Sequence, residues 1–431
     1  MIVEFTVENF RSFKEKQTFS LLATKNKELI ETNTFEAGNK LSLLKSAVIY
    51  GANASGKSNF FWALTFFLNF AVFSGPRKQV GDIIEVDSFC FSKQTKHEPS
   101  AFELIFFIKN NDGKNIRYRY GFSVTREEVI NEYLFAVPNV REVMLFAREK
   151  QEIITTDHFR EGGRLKSAIR SNSSFLSVCA QGNGEIAASI VRHFINTMVT
   201  SGLGNIASVT KMRLQSSDDN IKKQVLDFLH YADIQVKELT VKRETVDINE
   251  LPKEFSDFLK RTPGTRPPER VTYSFGHDYY DNEEIIDIAL IPEEQESSGT
   301  QKLFAYAIPV ISALENGTPL FIDEFDTQLH PLILENIIKL FNSPDKNKKN
   351  AQLVVSCHAV NILTNKNFRR DQIWFCEKDQ YGATDLYSLV EYDEPVRNDA
   401  AFGKNYLQGR YGAIPYINEI VLQIGNKNNG A

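Results

Sequence analysis

The sequence predicts a mixed α/β fold, and three observations carry the prediction. The apolar run Ala47-Val48-Ile49-Tyr50 leads into the glycine-bracketed stretch Gly51 to Ser58, and a long apolar segment from Asn59 to Phe73 follows, which reads as strand, loop, helix. Between residues 87 and 136 several runs alternate apolar and polar residues, as an antiparallel sheet requires. Far downstream, Pro319-Leu320-Phe321-Ile322 is a short apolar strand ending in the acids Asp323 and Glu324. A chain of 431 residues, 42% hydrophobic and 24% charged, has material for two domains or for one large domain with an insertion.

The first elements are strands: Ile2, Phe5 and Val7 alternate with polar residues, and Thr18-Phe19-Ser20-Leu21 follows a turn at Asn9-Phe10-Arg11-Ser12-Phe13. The spacing of Gly51, Gly56, Lys57 and Ser58 is G-x-x-x-x-G-K-S, the phosphate-binding loop. Small residues let backbone N–H groups wrap phosphates while the helix N-terminus adds its dipole. Lys57 is placed to reach the β- and γ-phosphates of ATP, and the Ser58 hydroxyl to sit on Mg²⁺. The candidate cofactor-binding residues are therefore Gly51, Asn53, Ala54, Ser55, Gly56, Lys57, Ser58 and Asn59, with Arg11 in the upstream turn where it could approach the nucleotide. The apolar segment Asn59 to Phe73 is expected to be a helix too short to span a bilayer and stopped by Gly75-Pro76.

Strands are expected at Asp87 to Phe91, Ala101 to Lys109, Asn115 to Val124 and Glu132 to Ala136, with a hairpin turn at Asn111-Asp112-Gly113-Lys114. Tyr118, Tyr120 and Phe122 share a face that reads as core. From about residue 137 the chain turns polar and then helical, with helices at Gly184 to Val199 and Asn220 to Tyr231, the second carrying the stripe Ile221, Val225, Phe228 and Leu229. Lys237, Lys242, Arg243, Lys260, Arg261, Arg266 and Arg270, interleaved with acids, read as a charged solvated surface. The expected organisation is an N-terminal half of the nucleotide domain at 1–136, a mainly helical insertion at 137–270 and a C-terminal half at 271–431.

The C-terminal half supplies further site candidates. Val271 to Phe275 and Ile285 to Leu290 read as strands, and Ser298 stands where a helix N-cap would. Asp323, at the tip of a buried strand, is a candidate Mg²⁺ ligand, and Glu324 can orient or deprotonate the attacking water. His358 follows the strand Gln352 to Ser356, where it can hydrogen-bond a γ-phosphate, so Glu324 and His358 are the candidate catalytic residues. The acids Glu377, Asp379 and Asp385 sit around a Tyr381-Gly382 turn and read as hairpin acids rather than a metal site. The cysteines Cys90, Cys179, Cys357 and Cys376 show no metal-site spacing and read as buried thiols in a reducing compartment. No secretory signal is visible, a cytoplasmic location is expected, and the net charge of −5 gives no support for nucleic-acid binding.

The order of phosphate loop, Ser297-Ser298-Gly299-Thr300-Gln301, Phe321-Ile322-Asp323-Glu324, Phe325-Asp326 and His358 resembles the ABC-type ATPase head of the SMC and recombination-repair lineage. It is more closely similar to the bacterial AAA-domain proteins of phage defence and abortive infection, the AbiL and RloA type. Asn9 to Phe13 and the tail Tyr406 to Pro415 contribute to that similarity. The resemblance implies an ABC-type head with a mixed sheet and an antiparallel β lobe. It further implies that Ser298 and Gly299 form a signature binding the γ-phosphate on a second subunit, that Asp326 is a D-loop residue crossing that interface, and that His358 is the switch histidine. Two departures stand out: Thr300 replaces the usual second glycine, and no Q-loop glutamine is evident beyond the weak candidate Gln94.

Its functional implication is an ATP-hydrolysing sensor or scaffold that forms a head-to-head homodimer or higher oligomer. Such a subunit controls an effector encoded by a neighbouring gene, a Toprim-type nuclease being the usual kind, in response to a phage-encoded trigger. Related nucleases carry a Toprim domain after the switch histidine; residues 359–431 are short for one, so the effector is expected to be separate. A DNA-end-binding repair ATPase stays open as an alternative, though no long coiled coil is present. A transporter subunit fits the β-rich lobe poorly, and no membrane partner is expected.

Overall fold

The computed structural model describes residues 1–415 apart from 39, 111, 205, 217, 248–249, 262–267 and 393–395, with main chain only at 255 and 258–260. The mixed α/β class expected from the sequence holds. A six-stranded sheet runs in the order Met198–Ser201, Leu320–Asp323, Leu353–Ser356, Ser46–Tyr50, Ile373–Lys378, Thr384–Ser388. Its first five strands are mutually parallel and the last is antiparallel. Ser46–Tyr50, Leu320–Asp323 and Leu353–Ser356 are buried at every position, which explains why they read as continuous apolar runs rather than alternating ones.

Alternation survives as a choice between two cores. Ala47, Ile49, Phe321, Val354 and Trp374 face one apolar cluster; Val48, Tyr50, Ile322, Val355 and Phe375 face the other. The first cluster lies between the parallel sheet and a seven-stranded antiparallel sheet in the order Glu152–Thr155, Val143–Glu149, Val129–Val137, Asn115–Val124, Ser100–Lys109, Ile2–Glu8, Gln17–Ser20. The helix Lys57–Arg77 fills the gap. Phe60 and Phe67 meet Phe5 at 5.8 and 5.7 Å between ring centroids, Phe67 stacks on Phe122 at 5.3 Å, and Phe19 bridges Phe60 and Trp374. Many of the 33 phenylalanines are spent here, because edge-to-face and stacked rings fill a thick interlayer with few rotamers. Behind the parallel sheet lie the helices Ser298–Asn316, Pro331–Asn342, Ala207–Leu214 and Asp219–Tyr231, the last burying the expected stripe Ile221, Val225, Phe228 and Leu229.

Several expectations need correction. The phosphate-loop helix is 21 residues long and continues through Gly75 and Pro76. Proline removes the N–H that would bond the Val72 carbonyl, and the Ser177 hydroxyl donates to that oxygen instead, at 2.8 Å. Glycine fits because any Cβ at residue 75 would come 2.8 Å from the same hydroxyl oxygen. Length therefore does not exclude a membrane span; among the described residues this is the one helix long and apolar enough, and it lies between the two sheets. Asp87 to Phe91 is not a strand: the Asn9 side-chain oxygen accepts the Phe89 N–H, and the Arg11 N–H reaches the Asp87 carbonyl, so side chain and turn hold this segment in an irregular course. Cys90 within it is exposed, while Cys179, Cys357 and Cys376 are buried as expected.

The antiparallel sheet continues past residue 137 through Val143–Glu149 and Glu152–Thr155. From inside the expected insertion, Met198–Ser201 joins the parallel sheet beside the acid strand. Glu152–Thr155 and Met198–Ser201 are edge strands, only partly buried, and so carry little apolar signal. A third sheet pairs Glu238–Thr245, Glu269–Asp281 and Glu284–Pro292. On it Lys237 pairs with Asp278, Arg243 with Glu269 and Arg270 with Glu250, matching a charged solvated surface. Arg266 and the Lys260 side chain lie outside the described residues.

Candidate functional site

The site is assembled along one edge of the parallel sheet. Each contributing segment follows the C-terminal end of a strand: Gly51 after Ser46–Tyr50, Glu324 after Leu320–Asp323, His358 after Leu353–Ser356, Leu203 after Met198–Ser201, and Lys378 at the end of Ile373–Lys378. Strands pointing the same way aim their following loops at a common crevice. A cavity of ≈ 820 Å³ there is lined by Asn53, Ala54, Ser55, Gly56, Lys57, Ser58, Asn59, Leu203, Glu324, His358 and Lys378.

Two glycines shape the loop. Gly56 has φ +112°, and a Cβ there would meet the Thr384 hydroxyl at 2.2 Å. At Gly51 a Cβ would meet the Cys376 carbonyl at 2.4 Å. Thr384 clasps the loop by donating to the Ser55 carbonyl at 2.8 Å, and Ser12 lies within 2.8 Å of it and accepts from Asn59 at 2.7 Å. Lys57 is buried and donates to the carbonyls of Gly51 and Ala52 at 2.8 and 3.0 Å. Burial pulls its pKa below the ordinary lysine value, against the opposing pull of the acids Glu324, Asp323 and Asp326. Cys376, buried beneath, has its thiol pushed up to about 12 by desolvation and stays a neutral wall.

The acid strand ends in a hydrogen-bonded knot. The Ser356 hydroxyl donates to Asp323 Oδ1 at 2.5 Å and accepts the Glu324 N–H at 2.8 Å. Glu324 takes a left-handed backbone, φ +53°, and its carboxylate lies 3.6 Å from His358 Nε2. Asp326 does not project outward: its Oδ2 accepts the N–H groups of His358 and Ala359 at 2.9 and 2.8 Å, so it holds the histidine turn within its own chain.

Oxygen donors of the kind Mg²⁺ prefers are present in Asp323 and Ser58. Among the described residues no group of three or more His, Cys, Asp or Glu converges, so Mg²⁺ here would rest on one carboxylate, one hydroxyl and the phosphates. The hairpin acids behave as expected: Asp379 accepts the N–H groups of Tyr381 and Ala383, and Glu377 accepts from Tyr387.

Other candidates fall elsewhere. The helix Ser298–Asn316 is capped by Ser297, whose hydroxyl accepts the Thr300 N–H at 3.1 Å; Ser298, expected as the cap, is the first helical residue. Ser298 and Gly299 do not line the phosphate cavity, and a Cβ on Gly299 would lie 3.5 Å from the Gln328 carbonyl, beside the turn that carries Asp326. Arg11 does not line the phosphate-loop cavity. It pairs with Asp87 at 3.3 Å, lies 4.8 Å over the Trp62 ring and lines a different cavity. Gln94 is exposed and also outside the phosphate cavity. Sequence reasoning missed Ser12, Leu203, Ser356, Lys378 and Thr384. Only Ser356 left a signal, as a polar residue closing a buried apolar run.

A family model described as "AAA domain, putative AbiEii toxin, Type IV TA system" matches residues 46–364, a span that starts with the phosphate-loop strand and ends just past the histidine turn. No curated protein matches the sequence. Among solved structures, the SMC head domain from Thermotoga maritima aligns over 90% of this chain and 98% of its own length, at 13% identity and a TM-score of 0.40.

Proposed function

Because the chain belongs to this AAA-domain family, we propose that it is an ATP-binding and ATP-hydrolysing subunit of a bacterial toxin–antitoxin-like or abortive-infection system, controlling a separately encoded effector. The observation that carries the reading is the convergence of Lys57, Ser58, Glu324 and His358 on one cavity; the buried Asp323, which does not itself line it, precedes Glu324 and is held by Ser356. In this reading the Lys57 ammonium exchanges the Gly51 and Ala52 carbonyls for phosphate oxygens, offsetting the cost of its burial. Ser58 and Asp323 would hold Mg²⁺, which would supply charge neutralisation to the bound phosphates. Glu324 orients the attacking water and accepts its proton, while His358 faces the γ-phosphate from a turn held by Asp326.

Ser298 and Gly299, which do not line the cavity of their own chain, would complete the site of a second copy, as the family resemblance implies. The effector is a partner in trans, a Toprim-type nuclease being the kind the family resemblance suggests. In this reading residues 137–270 are not a separate insertion, since both sheets draw strands from between those boundaries.

The test is Glu324→Gln, with ATP turnover and particle mass measured together. Loss of turnover with a nucleotide-stabilised dimer is the expected result. Turnover at the wild-type rate would remove Glu324 from its role.

A further inference from the structure

A second cavity lies beside the phosphate-loop helix. It has a volume of ≈ 560 Å³ and runs along the open side of the phosphate-loop helix, lined by Arg11, Trp62, Thr65, Asn69 and Asp87 among others. Trp62 stands out. Its side chain is 54% exposed on a helix whose other large apolar residues are mostly buried between the sheets. It lies three residues after Asn59 and four after Ser58, so all three share one helical face. The phosphate cavity and the Trp62 cavity are thus one turn apart.

Arg11 covers the indole at 4.8 Å, held by Asp87, while its Nε is buried without a partner. The same turn places Ser12 against the phosphate loop, through Asn59 and Thr384. One short turn therefore touches the phosphate loop with one residue and builds a cationic, aromatic stack with the next.

We propose that Arg11 and Trp62 form a platform for the purine base of the nucleotide whose phosphates occupy the Gly51 to Ser58 loop. The inference rests on the reading of that loop as an ATP site. A guanidinium plane over an indole offers a flat, polarisable, cationic surface on which a base can stack. Arg11 then serves the base and not the phosphates, which accounts for its place outside the phosphate-loop cavity.

The experiment compares Mg²⁺-supported binding of ATP and of inorganic tripolyphosphate by calorimetry, in the wild-type full chain, Trp62→Ala and Trp62→Phe. Expected is a loss of roughly tenfold in ATP affinity for Trp62→Ala, largely restored in Trp62→Phe, with tripolyphosphate binding unchanged in both. Trp62 and the buried Trp374 are the two tryptophans, so ATP should also shield wild-type fluorescence from iodide where tripolyphosphate does not. Equal ATP affinity in Trp62→Ala and wild type would overturn the platform while leaving the ATP site standing. Equal loss of both ligands would overturn it too, as a sign of a disturbed loop. Failure of wild type to bind either ligand would overturn the ATP reading itself, and the platform with it.

Discussion

The hydroxyl of Ser356 lies 2.5 Å from the carboxylate of Asp323 and accepts the N–H of Glu324. One buried side chain thus fixes both acids at the strand tip. Serine supplies this because a hydroxyl donates and accepts at once.

Ser356→Ala should therefore impair turnover more than nucleotide binding. It leaves a buried carboxylate oxygen and a main-chain N–H without their partner, at a cost of about 1–3 kcal/mol in stability. Steady-state hydrolysis, nucleotide titration and urea unfolding of the same preparation would check this; wild-type turnover would remove Ser356 from the site.

Lys57 carries an opposite sign. Burial lowers its folded pKa below the unfolded value of 10.5, so the folded state holds the charged form at a disadvantage at neutral pH. That penalty is absent above 10.5, where the unfolded amine is neutral as well; it grows as pH falls from 10.5 towards the folded value and is complete below it. Lys57→Met should abolish ATP binding yet melt no lower than wild type at pH 7, and its relative advantage should shrink as pH approaches 10.5. Differential scanning fluorimetry across that window tests it.

A second titration concerns His193, stacked on Phe106 at 5.4 Å with its Nε2 buried and unpartnered. Burial, and then the nearby α-amino group of Met1, hold its pKa well below 6.5. The unfolded imidazole takes up a proton below about pH 6.5 and the folded one does not, so stability is lost as pH falls from there. His193→Phe should flatten that loss between pH 7 and 5, read from urea midpoints.

The most damaging single change outside the site should be Glu132→Ala. Glu132 and Arg148 are fully buried, 3.3 Å apart, and Glu132 also accepts from Tyr120, Ser174 and the N–H groups of Phe175 and Leu176. Removing one partner strands the Arg148 charge, which typically costs about 3–5 kcal/mol. Denaturant unfolding against Glu132→Gln, which keeps the acceptor, separates charge from packing.

Completion of the site by a second copy predicts that Ser298→Arg, added to Glu324→Gln, abolishes the nucleotide-stabilised dimer while each chain still binds ATP. Mass measurement with a parallel binding assay decides it. A dimer that persists would place the interface elsewhere.

The sequence made the phosphate loop, the acid strand and the histidine strand legible because each lies in a fully buried parallel strand, whose apolar run is conspicuous. Met198–Ser201 was hidden at the sheet edge, where its four residues are only half buried. Arg11 was misplaced because proximity in a turn says nothing about direction: Ser12 faces the loop and Arg11 faces Trp62. Ser177 repaired the Val72 carbonyl from about a hundred residues away, which no local rule for Gly75-Pro76 could anticipate.

The strand Ser46–Tyr50 is flanked by Leu353–Ser356 and Ile373–Lys378. On a ribosome the phosphate loop is made long before its neighbours: Leu353–Ser356 and then Ile373–Lys378 follow roughly 15 to 65 s later at ~5–20 residues per second. Until then the apolar strand has no sheet to enter, and the loop has neither the Cys376 carbonyl nor Thr384 against which its glycines close. A chain that has grown only as far as the motif carries the complete phosphate-loop sequence and no pocket, so competence to bind nucleotide waits for strands made far downstream of the loop.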